Sequence, residues 1–267
     1  MAPRSQKFNL GNDVAIHAII SSPPCRSAKP ALVFLHYWGG SSRTWQWVVR
    51  HLSDEYQIVS LDFRGWGESS GPASEDAYSM SLLASDVEAV VEQLGLGDFT
   101  LIGLSMGAKV AQVVAARSPA GLRSIILLSP APLSSCRLPP EMKDQQMTAY
   151  ESIDTATFAT LNVLTASSPA KDVVDVLVAD QLRGNVWARA AWPRYGMEED
   201  FAELTDAIRV PALVLAAEKD VVETPERVKK EVHDRIRESQ WGLILGSGHL
   251  SPVDCAEEVA NRIRCFV

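Results

Sequence analysis

The chain has 267 residues, of which 46% are apolar and 22% charged, and its formal net charge is −8. This composition excludes fibrous, collagen-like and mostly disordered proteins. The negative charge opposes binding to nucleic acid phosphates and to anionic lipid surfaces, so we predict no nucleic-acid partner and no membrane partner.

Short apolar runs bounded by turn residues recur in the first half of the chain and predict β-strands. These runs are apolar throughout rather than alternating, which is typical of parallel strands covered by helices on both faces. Between two of the runs, apolar residues with helical spacing predict a helix that ends at Gly95. The predicted strands are Val14–Ile20, Ala31–His36, Gln57–Leu61, Thr100–Gly103 and Ser124–Leu128.

From about Pro130 to Asp206 the strand signal disappears and helical patches replace it. We therefore predict an α/β fold with a mostly parallel, twisted sheet flanked by helices. Residues 1–130 and 207–267 would form its core, and residues 131–206 an inserted helical cap. The elements predicted after the insertion are a strand Ala212–Ala217, a helix Pro225–Ile236, a strand Gly242–Leu245 and a helix Pro252–Phe266.

The segment from Phe99 to Ala116 predicts a strand, a sharp turn and a helix, with Gly103-Leu104-Ser105-Met106-Gly107 at the turn. A G-x-S-x-G turn in this context strains the serine backbone and needs small residues on both sides of it. Ser105 would then stand at the carboxyl edge of the sheet, at the N-terminus of the helix. These features make its hydroxyl a candidate nucleophile, which still requires a base.

His249 is the candidate base, because the loop that carries it follows a strand and reaches the same sheet edge. His17, His51 and His233 lie within predicted strands or helices and are interpreted as packed or surface residues. The carboxylate that orients the imidazole is predicted to be Asp220, which follows the strand ending at Ala217. The nearby Glu218 and Glu223 remain alternatives for that role.

The order Ser105, Asp220, His249 along the chain is the order used by α/β-hydrolases. Two further landmarks of that family are present as the segments 36–40 (His-Tyr-Trp-Gly-Gly) and 62–69 (Asp-Phe-Arg-Gly-Trp-Gly-Glu-Ser). The chain thus resembles the α/β-hydrolase fold superfamily over nearly its whole length, in the branch of small esterases, lactonases and cofactor-free haloperoxidases.

The resemblance implies that the main-chain N–H groups of Met106 and Trp38 form the oxyanion hole. Tyr37 stands where the family usually has glycine, so a change in the loop backbone there would turn the Trp38 N–H away. His36 is interpreted as a buried histidine bonded to loop backbone. The predicted cap contributes aromatic residues, and we interpret Tyr37, Trp187 and Trp192 as pocket residues and Met147 and Phe158 as core residues.

The predicted function is that of a serine esterase or lactonase, which cleaves a small-molecule ester, thioester or lactone through an acyl-enzyme intermediate. A serine rather than an aspartate at position 105 disfavours dehalogenase and epoxide hydrolase chemistry. The alternatives are perhydrolysis or cofactor-free oxygenation at the same site, a ligand receptor with slow turnover and, last, an interaction module. The sequence does not predict an oligomeric state.

No cofactor is predicted, because no phosphate-binding glycine loop and no metal-ligand cluster is evident. Cys25, Cys136, Cys255 and Cys265 have neither the spacing of a zinc site nor the density of a disulfide scaffold, so we predict reduced thiols and no metal. The N-terminal residues carry no signal-peptide pattern, and no apolar run approaches a membrane span. A cytoplasmic location is the expectation that follows.

Overall fold

The computed structural model describes residues 3–24 and 28–267, so Cys25 lies outside the described residues. The strands in this part of the chain are β1 (Arg4–Gly11), β2 (Val14–Ser21), β3 (Ala31–Leu35), β4 (Ile58–Leu61), β5 (Phe99–Leu104), β6 (Leu122–Leu128), β7 (Ala212–Ala217) and β8 (Gln240–Ile244). They form one sheet in the order β1-β2-β4-β3-β5-β6-β7-β8. Strand β2 pairs antiparallel with β1 and β4, and the other neighbours are parallel. The predicted α/β fold with a mostly parallel sheet is thus confirmed.

The α-helices lie on both sides of the sheet and in the long connection between β6 and β7. They are α1 (Gln46–Leu52), α2 (Met80–Leu94), α3 (Met106–Arg117), α4 (Pro140–Thr148), α5 (Ile153–Ala159), α6 (Lys171–Arg183), α7 (Val186–Ala191), α8 (Pro225–Val228), α9 (Ser251–Asp254) and α10 (Ala256–Phe266). π-Helical stretches follow three of them, at Thr160–Leu164, Trp192–Gly196 and Lys229–His233. No helix in the described ranges is long and apolar enough to cross a membrane.

The central strands are apolar at successive positions because they pack into a core on each face of the sheet. In β3, Val33 and Leu35 belong to one buried cluster, whereas Leu32 and Phe34 belong to the cluster on the other face. Helix α2 covers the sheet with its apolar stripe and ends, as predicted, at Gly95, whose φ of 60° is the left-handed conformation of a C-terminal cap.

The structure differs from the predicted elements at both ends of the chain. Strand β1 was not predicted, because it is an edge strand with mostly exposed side chains and only one buried apolar residue, Phe8. The predicted final helix, 252–266, is two helices, because Cys255 has an extended φ of −140° and separates α9 from α10.

All residues between β6 and β7 are described, and none of them is in a strand. We call residues 140–207 the helical segment. It is joined to the rest of the chain by polar contacts, including the hydrogen bond from Ser41 Oγ, in the loop after β3, to Asp180 Oδ2 (2.7 Å) and that from Lys109 Nζ, on α3, to the carbonyl of Glu199 (2.7 Å). The division of the chain into a core and a cap domain stays a prediction.

Candidate active site

Ser105 occupies a strained turn between the end of β5 and the start of α3. Its φ of 56° and ψ of −115° are outside the regions that L-residues ordinarily adopt. The turn is fixed on one side by the Ser105 N–H, which donates to the carbonyl of Leu128 at the end of β6 (3.0 Å). On the other side, the Ser105 carbonyl accepts from the N–H of Ala108 (2.9 Å). The side chain therefore stands at the carboxyl edge of the parallel strands.

Glycine on each side of Ser105 lets strand, turn and helix approach closely. A Cβ atom at Gly103 would lie 2.5 Å from the carbonyl oxygen of Gly107. A Cβ atom at Gly107 would lie 2.4 Å from the carbonyl oxygen of Leu35. Both obstacles are main-chain atoms, which cannot move aside as a flexible side chain could. This geometry explains physically why the sequence has glycine at both positions.

His249 and Asp220 meet at the same edge of the sheet, beyond the ends of β8 and β7. The Nδ1 atom of His249 lies 2.8 Å from Asp220 Oδ2, and both side chains are buried. The other carboxylate oxygen, Oδ1, accepts the N–H groups of Val222 (2.8 Å) and Glu223 (3.0 Å). These bonds leave Nε2 of His249 as the ring atom that is free to act on a neighbour in the cavity.

The electrostatics of this pair favour an ionised Asp220 beside His249. Burial tends to raise the pKa of Asp220, but the charge and hydrogen bond of His249 and the loop N–H groups hold that pKa below its ordinary value. Burial likewise tends to lower the pKa of His249, and Asp220 outweighs it, so that the pKa of His249 is raised. The pair thus stabilises a protonated imidazole.

His36 has a structural role, as the sequence indicated. Its Nδ1 donates to the carbonyl of Tyr37 (2.6 Å), and its Nε2 accepts the N–H of Phe63 (3.0 Å), so both ring nitrogens are used. Burial lowers the pKa of His36 to about 4, which keeps it neutral. His17 is likewise packed, with its Nδ1 2.7 Å from Asp62 Oδ2. Neither histidine is available as a base.

Of the two predicted oxyanion donors, Met106 follows Ser105 in the chain and Trp38 lines the same cavity as Ser105. Met106 is the first residue of α3, where helix geometry leaves the N–H without an intrahelical acceptor. The N–H of Trp38 donates to no acceptor within the described ranges 3–24 and 28–267. Tyr37 does not take the left-handed conformation that would turn this loop, because Gly39 supplies the positive φ, at 98°.

A cavity of about 760 Å³ lies between the sheet edge and the helical segment, and both Ser105 and His249 line it. Tyr37 and Trp192 also line it, and their role in binding substrate stays a prediction. Trp187 does not line it: it is half-buried and packs against the apolar core. The pocket prediction for Trp187 is wrong because positions 187 and 192 are five residues apart and therefore point to different sides of the helix. Phe158, predicted as a core residue, instead lines the cavity and is 63% exposed.

Three further cavity residues were not singled out as site residues by the sequence. Tyr150 stacks on Trp38, with ring centroids 4.3 Å apart, and its hydroxyl donates to the Trp38 carbonyl (3.1 Å). Glu223 and Arg227 place two charged side chains in the same cavity, 3.1 Å apart. The sequence offered Glu223 only as a rival to Asp220, and nothing in it indicated the contacts of the other two.

Nothing in the described residues resembles a metal centre, since no three His, Cys, Asp or Glu side chains come together as a group of ligands. A hydroxyl on a strained turn, an imidazole and a buried carboxylate stand at one sheet edge, with main-chain donors beside them.

Comparisons with known proteins agree with this architecture. The chain is 29% identical to proline iminopeptidase from Lactobacillus helveticus over 260 residues. This match covers 87% of this chain and 88% of the relative. It is 31% identical to epoxide hydrolase 4 of Mus musculus over 101 residues, a match that spans 38% of this chain and only 28% of that protein. The crystal structure of bromoperoxidase from Bacillus anthracis superposes with a TM-score of 0.85 at 19% identity, covering 99% of both chains.

The family profile described as alpha/beta hydrolase fold matches residues 30–254. This range begins just before β3, includes the Ser105 turn, and extends past His249 into α9. Since the match covers most of the chain and agrees with the observed sheet, this protein belongs to the α/β-hydrolase family.

Proposed function

We propose that this protein is a serine hydrolase that cleaves a carboxylic ester, thioester or lactone through an acyl-enzyme on Ser105. In this proposal His249 is the general base, Asp220 orients and stabilises it, and the substrate is a small molecule. No cofactor takes part. The helical segment acts as a cap that forms one wall of the substrate cavity.

The chemistry begins with the transfer of the Ser105 proton to Nε2 of His249 as Oγ attacks the substrate carbonyl carbon. The resulting oxyanion accepts hydrogen bonds from the N–H groups of Met106 and Trp38. Collapse of this intermediate breaks the bond to the leaving oxygen or sulfur, which takes the proton from His249. A water molecule, deprotonated by His249, then attacks the acyl carbon. The bond from that carbon to Ser105 Oγ breaks, Oγ takes the proton back from His249, and the carboxylic acid leaves.

The observation that carries this proposal is the buried hydrogen bond between His249 and Asp220. His249 lines the same cavity as the strained Ser105. Because Nδ1–H of His249 donates to Asp220, Nε2 is the proton acceptor when the imidazole is neutral. This hydrogen bond also stabilises the imidazolium formed during attack. A packed histidine with a structural role, such as His36, has both nitrogens bonded instead.

The cavity supports a substrate with an apolar acyl or leaving group. Its walls are largely apolar and include Leu138, Met142, Phe158 and Val163 from the helical segment and its approach. Burial of each methylene of a chain against such walls contributes about 0.8 kcal/mol. We expect medium-length or aromatic esters to be hydrolysed with a higher kcat/KM than acetate esters.

The proposal is tested by labelling with a fluorophosphonate probe, which forms a covalent bond only with an activated hydroxyl. The parent protein should be labelled, whereas Ser105→Ala and His249→Ala should each lose labelling and at least about 10³-fold in hydrolysis of p-nitrophenyl esters. Thermal unfolding of each variant establishes that it is folded.

A matched control is Ser118→Ala, because Ser118 also has a positive φ but lies at the C-terminal end of α3, away from the cavity. This variant should be labelled like the parent. Absence of labelling in a folded parent would overturn the hydrolase proposal and favour a ligand receptor. Labelling that survives in Ser105→Ala would assign the nucleophile elsewhere.

A further inference from the structure

Glu223 is a buried carboxylate in the wall of the cavity, and the reaction proposed above gives it no role. Only 3% of the residue is exposed, and it lines the same cavity as Ser105 and His249. Its own N–H donates to Asp220 Oδ1 (3.0 Å), so one short turn holds both carboxylates. Burial of a carboxylate is costly unless other groups compensate for it, so its presence here needs a reason.

The counter-charge of Glu223 is Arg227, which lies four residues later, on α8. The Nη1 atom of Arg227 lies 3.1 Å from Glu223 Oε2, yet Oε2 accepts no well-aligned hydrogen bond within the described part of the chain. Arg227 is also shared, since its Nε lies 3.4 Å from Oε2 of Glu231. The negative charge of Glu223 is therefore only partly compensated by its neighbour.

The charged groups that face Glu223 come from the loops at the sheet edge, the helix that follows them, and α3. Asp220 and His249 approach from the loops at the sheet edge, and Arg227 and Glu231 from the helix that follows. Lys109, on α3, also interacts with Glu223, and Glu199 and Asp200 of the helical segment lie near that lysine. Of these groups, His249 is the one whose protonation changes during the proposed reaction.

The ionisations of Glu223 and His249 are coupled. Burial raises the pKa of Glu223 to about 7, although the charges of Arg227 and His249 act in the opposite direction. In return, Glu223 adds to the effect of Asp220 in raising the pKa of His249. The protonation of each group thus affects that of the other.

We propose that Glu223 is a second carboxylate that acts on His249 through space, as a positioning residue beside Asp220, and that Arg227 favours its ionised form. This inference rests on the proposed function of Ser105 and His249. When ionised, Glu223 stabilises the imidazolium that forms as the Ser105 proton is transferred. The same charge makes His249 give up its resting proton only at higher pH, so Glu223 sets both the rate and its pH dependence.

The first test is Glu223→Gln, which removes the charge but keeps the shape of the side chain. The acid limb of the kcat/KM profile should shift to lower pH by about one unit, because His249 loses a stabilising charge. At the plateau, kcat should fall, by up to about tenfold, because the imidazolium in the transition state is less stable. KM should change little for esters of any chain length.

A second variant, Arg227→Gln, should shift the acid limb in the same direction as Glu223→Gln. Without the guanidinium, burial keeps Glu223 protonated at neutral pH, so His249 loses the charge that stabilises its protonated form. The matched control is Glu218→Gln, which removes the same charge two residues before Asp220 but from an exposed side chain. Its profile should coincide with that of the parent, because solvent screens an exposed charge.

NMR titration of the His249 imidazole in Ser105→Ala separates failure of this inference from failure of the proposed function, because it needs no turnover. The pKa of His249 should fall in Glu223→Gln and stay unchanged in Glu218→Gln, whether or not esters are substrates. An unchanged pKa in Glu223→Gln, or an equal shift in Glu218→Gln, would overturn the inference. A rise in KM confined to polar substrates, with no shift of the limb, would make Glu223 a substrate-binding residue instead.

Discussion

The sheet core and the helical segment of this protein differ in how tightly their residues are packed. Strands β3, β5 and β7 bury every residue, and the turns at their ends are packed so closely that the two glycines beside Ser105 have no room for a methyl group. In the helical segment, α4 buries none of its residues and α5 only Ala156. Two of the helices there continue into π-helical stretches.

This difference separates the two tasks of the proposed enzyme. Proton transfer requires Ser105, Asp220 and His249 to stay within a few tenths of an ångström of their positions, which tightly packed strand ends provide. Selection of an acyl group requires only apolar surface of suitable shape, which loosely packed helices can supply and vary. We therefore expect substitutions in the core to affect folding and chemistry together, and those in the helical segment to affect selectivity.

The largest effect is predicted for Gly107→Ala, which tests the close packing of the core directly. The added Cβ would lie 2.4 Å from the carbonyl oxygen of Leu35 and 2.5 Å from that of His36, so strand and helix must separate. We expect a loss of about 3 kcal/mol or more in the free energy of unfolding and a loss of fluorophosphonate labelling. Thermal denaturation and the rate of labelling measure the two effects.

The matched control is Gly97→Ala, because a Cβ atom at Gly97 would have no neighbour within 4 Å and the glycine has no positive φ. Its unfolding free energy should stay within about 0.5 kcal/mol of that of the parent. If Gly107→Ala unfolded and reacted like Gly97→Ala, the close approach of α3 to the sheet would not be what positions Ser105.

Much of the core could be predicted because its sequence signals are local. Buried parallel strands read as apolar runs, and the carboxyl ends of such strands must share one edge, so Asp220 and His249 could be expected to lie together. Their hydrogen bond agrees with that expectation. Strand β1 escaped prediction because its partner and position, rather than its own composition, make it a strand.

The cavity walls were harder to predict, because they depend on how short helices are rotated. Trp187 and Trp192 are equally aromatic, yet only Trp192 lines the cavity, and Phe158 lines the cavity with a largely exposed side chain rather than packing in a core. Tyr37 is tolerated because Gly39, two residues later, takes the left-handed conformation. Such outcomes follow from tertiary contacts, and residue type or spacing does not reveal them.

An intermediate effect is predicted for Lys109→Met, which breaks a contact between the two regions. Lys109 is buried on α3, and its Nζ donates to the carbonyl of Glu199 in the helical segment (2.7 Å). Removing this donor should lower the free energy of unfolding by about 2 kcal/mol, measured by denaturant titration. The control, Lys143→Met, removes a half-buried lysine that donates to the carbonyl of Arg194, and should cost less than about 1 kcal/mol.

The same variant has a predicted pH dependence. Burial lowers the pKa of Lys109 to about 8, against an ordinary value of 10.5, although Glu199 opposes the shift. Between these two values the unfolded chain binds more protons at this residue than the folded chain, so this residue's contribution to stability increases with pH. The stability difference between parent and Lys109→Met should therefore widen from pH 8 to pH 10.5, and a constant difference would contradict the lowered pKa of Lys109.

The smallest effect is predicted for Phe158→Ala, which tests whether the helical segment selects the acyl group. Phe158 lines the cavity while 63% exposed, so its loss removes apolar contact with a long substrate and little from the core. We expect kcat/KM for octanoate esters to fall about five- to tenfold, with acetate esters and thermal stability nearly unchanged.

Ile153→Ala is the matched control for Phe158→Ala, because Ile153 lies on the same helix and is 66% exposed, but does not line the cavity. It should leave the ratio of octanoate to acetate hydrolysis as in the parent. If both variants lowered this ratio equally, the effect would come from loosening α5 rather than from the cavity wall. If neither did, the acyl chain would bind against other walls, and the separation of chemistry from selectivity would not hold at Phe158.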